Sequence, residues 1–117
     1  VRELMIGKKQ IGVRATALAL LYFEQEFGKD LLAELVKMKD IAPKPGESIE
    51  DTVAKLDIMS FLKITWAMNK ADKYGEKFPS FEGWLFELGE IDLTDPGFIL
   101  GALEEAGAGF LGKGKVK

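Results

Sequence analysis

The stretch KFPSFEGWLFELGEID, Lys77 to Asp92, decides how this chain is read. It gathers Phe78, Phe81, Trp84 and Phe86 in a chain that is only 10% aromatic. Ser80 can cap a helix here, and Glu82 in the first turn suits the positive end of the helix dipole. The spacing predicts a helix over Ser80–Ile91. Phe81, Trp84, Leu85 and Leu88 then share one face at i, i+3, i+4 and i+7. Phe86 does not join them, because the helical period places it about 140° from Phe81. Two readings stand for it. The favoured one packs Phe86 against the C-terminal helix, and the other makes it part of a partner-binding patch.

Upstream lies the longest helical pattern, Ser48 to Tyr74. Ser48 with Asp51 gives it a start resembling a capping box. At 100° per residue it shows two apolar sectors. Val53, Leu56, Phe61, Ile64, Met68 and Ala71 form one, and Ile58, Met59, Leu62 and Trp66 the other. A helix apolar on two sides is either the central helix of the fold, the favoured reading, or carries a subunit interface. The second alternative leads to an expectation of self-association through Trp66 and Ile58.

Before it, Val1–Arg14 reads as a hairpin: Met5, Ile6, Ile11 and Val13 flank the polar link Gly7-Lys8-Lys9-Gln10. Ala15–Phe27 reads as a helix with Thr16 as N-cap, a buried first half and Gly28 as its stop. Asp30–Lys39 reads as a short helix with Leu31, Leu32, Leu35 and Met38 on one face. Ala42–Glu47, with Pro43, Pro45 and Gly46, is a loop. Downstream, Thr94-Asp95-Pro96-Gly97 is a helix start with proline at the first position. That helix carries Phe98, Ile99, Ala102, Leu103 and Ala106. Gly107, Gly109, Gly112 and Gly114 are expected to end it and leave Gly107–Lys117 flexible.

The resulting expectation is a mainly α fold: a small helical domain of about five helices with a short N-terminal β-hairpin over 1–14. One domain spans 1–111, followed by a flexible basic tail over 112–117. A length of 117 residues suits one domain with a modest core. No internal repeat is present.

Composition narrows the chemistry. There is no Cys and no His, which removes disulfides, thiolate chemistry, the usual base near neutral pH and the commonest metal ligand. Net charge is −3 from 16 basic and 19 acidic residues. The last six residues, GKGKVK, hold three of the bases, so the body is more acidic than the total. An acidic body repels phosphate, and no helix is basic on one face, which argues against nucleic acid. The longest uncharged apolar run, ATALALLYF over Ala15–Phe23, falls short of the roughly 20 residues that span a bilayer. No membrane association and no signal peptide are expected, and the location expected is cytoplasmic.

No catalytic or cofactor motif emerges. GKGK lacks the spacing and the Ser/Thr of a phosphate loop. Glu87, Glu90, Asp92 and Asp95 cluster in sequence without EF-hand spacing and read as a solvated helix end, as do Glu24, Glu26, Glu104 and Glu105. An acid-pair enzyme using Glu87 and Asp92 is the least favoured reading. No cofactor and no metal are expected. What remains is surface for binding, with Met59, Trp66, Phe86 and Phe110 the candidate partner-facing residues, Leu111 adjoining the last.

Four features, in order, carry a resemblance. They are the Gly7-Lys8 turn, Phe23-Glu24-Gln25-Glu26-Phe27-Gly28 closing the first helix, Trp66-Ala67-Met68 late in the middle helix, and Phe78-Pro79-Ser80-Phe81-Glu82-Gly83-Trp84-Leu85. The chain resembles the tail assembly chaperones of long-tailed bacteriophages and related prophages, in which the last feature recurs as fPSfeeWl. Gly83 departs from the acidic residue expected there. The resemblance implies a non-enzymatic protein of the host-cell cytoplasm. It would bind the tape measure protein, keep it soluble until the tail tube polymerises, and be absent from the finished virion. The tail tube protein is a further implied partner. Members are often made in two forms by ribosomal frameshifting, and Gly112-Lys113-Gly114-Lys115 is compatible with a slippery codon run. The alternative within phage biology is a head–tail connector or tail-completion protein retained in the virion.

Overall fold

The structure, a computed structural model, describes residues 2–6, 9–38, 46, 58–89 and 96–110. Among them the chain is mainly helical, with five helices and a two-stranded antiparallel hairpin at the N-terminus. The elements are β1 (Arg2–Ile6), β2 (Lys9–Val13), α1 (Ala17–Phe27), α2 (Leu31–Met38), α3 (Ile58–Asp72), α4 (Phe81–Leu88) and α5 (Pro96–Phe110).

In the hairpin, Leu4 stands opposite Ile11 and Arg2 opposite Val13. Leu4, Ile11 and Val13 are buried, while Glu3 and Gln10 are exposed, as the period-two alternation of a strand requires. Lys9 and Gln10 belong to β2 rather than to the link between the strands. The hairpin is too small to stand alone. It lies on α3 through β2 and on α5 through β1. At the end of β2 the Arg14 N–H donates to the Met68 carbonyl at 3.1 Å, and the Arg14 guanidinium pairs with Asp72 at 3.2 Å.

Thr16 occupies the N-cap position of α1, but its side chain makes no capping hydrogen bond. Only Ala19 and Phe23 of α1 are buried, and Ala17 and Leu21 are exposed, so the expected buried first half is wrong. The reason is that α1 presents one face to α3 rather than being enclosed. Its stop is as expected: Gly28 has φ 69°, where a Cβ would be strained, and its N–H closes on the Glu24 carbonyl at 2.8 Å. Asp30 lies just outside α2 and caps it, accepting from the Leu32 N–H at 3.0 Å.

α3 is the central helix. Phe61, Leu62, Ile64 to Asn69 and Ala71 are all buried. From Phe61 onward both apolar sectors are covered, because α1, α2, α4 and β2 pack on the helix, while Met59 in its first turn stays exposed. Of the long pattern read from Ser48, only Ile58 onward is described. Ser48, Asp51, Val53 and Leu56 lie outside the described residues, as does the Ala42–Glu47 loop apart from Gly46.

Pro96 is the first residue of α5, as its fixed φ favours. The helix does not end at Gly107. It runs through Gly107 and Gly109 to Phe110, a correction to the expected flexible segment. Gly109 has a packing reason to be there, since a Cβ at this position would collide with the Cβ and carbonyl of Ala15. The Glu105 carboxylate accepts from the Ala15 N–H at 3.1 Å beside that contact. Two features that read as a stop and a bland surface acid in sequence thus dock α5 on the strand–helix junction.

Candidate functional site

The aromatics of the 77–92 stretch divide by the helical period. Phe81 and Trp84 face inward from α4, and Ser80 caps it by accepting from the Gly83 N–H at 3.2 Å. Phe81 lies 5.2 Å from the Phe27 ring and 6.1 Å from the Trp84 ring. Trp66 sits against the same group, 5.5 Å from Phe27 and 6.3 Å from Phe78. These edge-on and stacked contacts, each worth about 0.5–1.5 kcal/mol beyond burial, join α1, α3 and α4.

The polar ends of the two tryptophans are also occupied. Trp66 Nε1–H donates to the Pro79 carbonyl at 3.2 Å. Trp84 Nε1–H donates to Asn69 Oδ1 at 2.9 Å, and Asn69 Nδ2–H donates to the Gly12 carbonyl at 2.7 Å. Asn69 is therefore a buried bridge between α4 and β2. Sequence reading passed over it, although a lone amide among apolar residues of a two-sided helix was the available signal. Glu26 was missed in the same way, and its carboxylate accepts from the Phe81 N–H at 3.0 Å, tying the end of α1 to the start of α4.

The four partner-facing candidates do not form one patch. Trp66 is fully buried, because α1 and the 78–81 segment cover its sector, so it leaves the surface set. Phe110 is half-buried against the core. Met59 is 49% exposed in the first turn of α3. Phe86 is 86% exposed, which overturns the reading that packs it on the C-terminal helix. α5 lies on β1 instead. Met59 stands some ten residues, roughly 15 Å of helix, before the level at which Asn69 meets Trp84.

Phe86 thus dominates the outer face of α4. By the helical period Glu82 and Gly83 share this strip with it, and Glu87 borders it. Glu82 and Glu87 are exposed. Gly83 has no steric reason to be glycine. A Cβ there would meet Pro79 Cβ at 3.4 Å and Ser80 Oγ at 3.6 Å, both ordinary contacts, and its φ is not positive. Glycine inside a helix costs about 1 kcal/mol relative to alanine.

On the other side of α4 a cleft of about 240 Å³ lies between β2 and the end of α3. Buried Ile11, Asn69, Trp84 and Leu88 line its floor, and exposed Lys73, Glu76, Lys77 and Glu87 its rim. Both ends of the Asn69 amide are engaged, so the floor offers apolar surface rather than reactive groups. Among the described residues no group of three His, Cys, Asp or Glu converges as a metal site would. Glu90, Asp92 and Asp95 lie outside the described residues. No described helix is long and apolar enough to cross a membrane. Comparison with known protein families, curated proteins and solved structures finds no match to this chain.

Proposed function

We infer that this chain is a non-enzymatic tail assembly chaperone that binds the tape measure protein of a long-tailed phage and keeps it soluble during tail morphogenesis. The observation that carries the reading is Phe86, a large aromatic held 86% exposed on a helix whose opposite face is locked into the core. A long apolar helix is soluble only when its apolar face is covered, and an acidic partner that covers it adds repulsive charge to the complex. The order of the resembling segments, from Gly7-Lys8 to Trp84-Leu85, supports the same assignment. Co-expression with the tape measure protein encoded nearest downstream tests it. The expected result is a soluble long protein that co-purifies with this chain. Recovery of this chain in purified virions, with the long protein left insoluble, would replace the reading with a connector or tail-completion role.

A further inference from the structure

We propose that the outer face of α4 is a docking site for a basic amphipathic helix, with Phe86 as the projecting group and Gly83 as the notch beside it. The proposal deepens the chaperone reading and rests on it for the biological partner. Three observations carry it.

Phe86 is the most exposed of the large apolar residues described, and it sits on a capped helix anchored by Trp84, Leu88 and the Glu26 bond. Its position is therefore set before any partner arrives, which lowers the ordering cost of binding. Gly83 lies one turn before Phe86 on the same strip, and the fold does not need a glycine there. The missing side chain keeps the helix surface low there, with only Pro79 and Ser80 within 4 Å of where a Cβ would stand. A projecting ring one turn from a bare helical position is the relief that the ridges and grooves of a second helix fit. The third observation is charge. α4, FEGWLFEL, has two acids and no base. Glu82 lies on the Phe86 strip at i−4, and exposed Glu26 stands at the N-terminal end of α4. A partner lysine or arginine can lay its stem along the Phe86 ring and bring its charged head to Glu82. A partner with acids in those places would be repelled.

The test uses the full chain and two fluorescently labelled synthetic helices with the same leucine face, one flanked by lysines and one by glutamates. Binding is read by anisotropy, and folding by thermal melts of the same samples. The lysine helix should bind, the glutamate helix should not, and added salt should weaken the complex. Phe86→Ala should weaken binding about tenfold or more with an unchanged melting temperature. Gly83→Ala should raise the melting temperature by on the order of 3 °C while weakening binding, a combination that a structural glycine would not give. Equal binding of both helices, undiminished binding to Phe86→Ala, or a lower melting temperature for Gly83→Ala would overturn the proposal. Loss of the site in these assays while the tape measure protein still co-purifies would leave the chaperone reading in place. Binding of the lysine helix through Phe86 without co-purification would sink that reading and keep the site.

Discussion

Trp84 donates its indole N–H to Asn69 at 2.9 Å, and through the Asn69 amide the contact continues to the Gly12 carbonyl of β2 at 2.7 Å. One buried side chain thereby couples the central helix to α4 and to the hairpin. Asn69→Leu keeps the bulk and removes both bonds. It leaves the Trp84 N–H and the Gly12 carbonyl buried without these partners. The expected loss is about 2–4 kcal/mol, seen as a lower urea midpoint at an unchanged slope.

Trp66 and Phe86 separate the core from the surface. Trp66→Ala removes a fully buried ring and the bond to Pro79, and should cost about 3–5 kcal/mol. Phe86→Asp should change stability by no more than about 0.5 kcal/mol. Denaturant titrations of the two variants check both values. A strongly destabilised Phe86→Asp would mean that the ring packs in solution.

Three glycines should respond in different ways. Gly109→Val drives a side chain into Ala15 and should cost at least about 1–3 kcal/mol. Gly28→Ala has open space but a φ of 69°, and should cost about 1 kcal/mol. Gly83→Ala should stabilise, by up to about 1 kcal/mol. Calorimetry on the three variants gives the order directly.

Which parts of this were legible in the sequence follows from what periodicity can report. The faces of α4 came through because Phe81, Trp84, Leu85 and Leu88 repeat at the helical spacing. Gly28 and Pro96 came through because each has a strong local preference. Periodicity cannot say what lies opposite a face. It therefore placed Trp66 among the surface candidates, when its sector is covered by α1 and the 78–81 segment. It packed Phe86 on the C-terminal helix, when α5 lies on β1. Gly109 read as a breaker because its value lies in a contact with Ala15, nearly a hundred positions away in the chain. Asn69, Glu26 and Glu105 were silent for the same reason, since each bonds an element distant in sequence.

Glu26 and Glu105 provide a local test. Each carboxylate accepts from one backbone N–H, of Phe81 and Ala15 respectively. Replacing either with alanine should cost about 0.5–1.5 kcal/mol. Hydrogen exchange should accelerate at Phe81 in the first variant and at Ala15 in the second, with the rest of the chain little changed. Acceleration spread evenly over the molecule would show that these bonds are not the local ties described.

The most direct measurement compares wild type with Phe86→Asp in co-expression with the tape measure protein, scoring how much of the long protein is soluble and co-purifies. Wild type is expected to keep it soluble, whereas Phe86→Asp, equally folded, is not. Equal recovery with both would contradict the assignment of the Phe86 face as the binding surface. Failure of wild type itself would contradict the chaperone function.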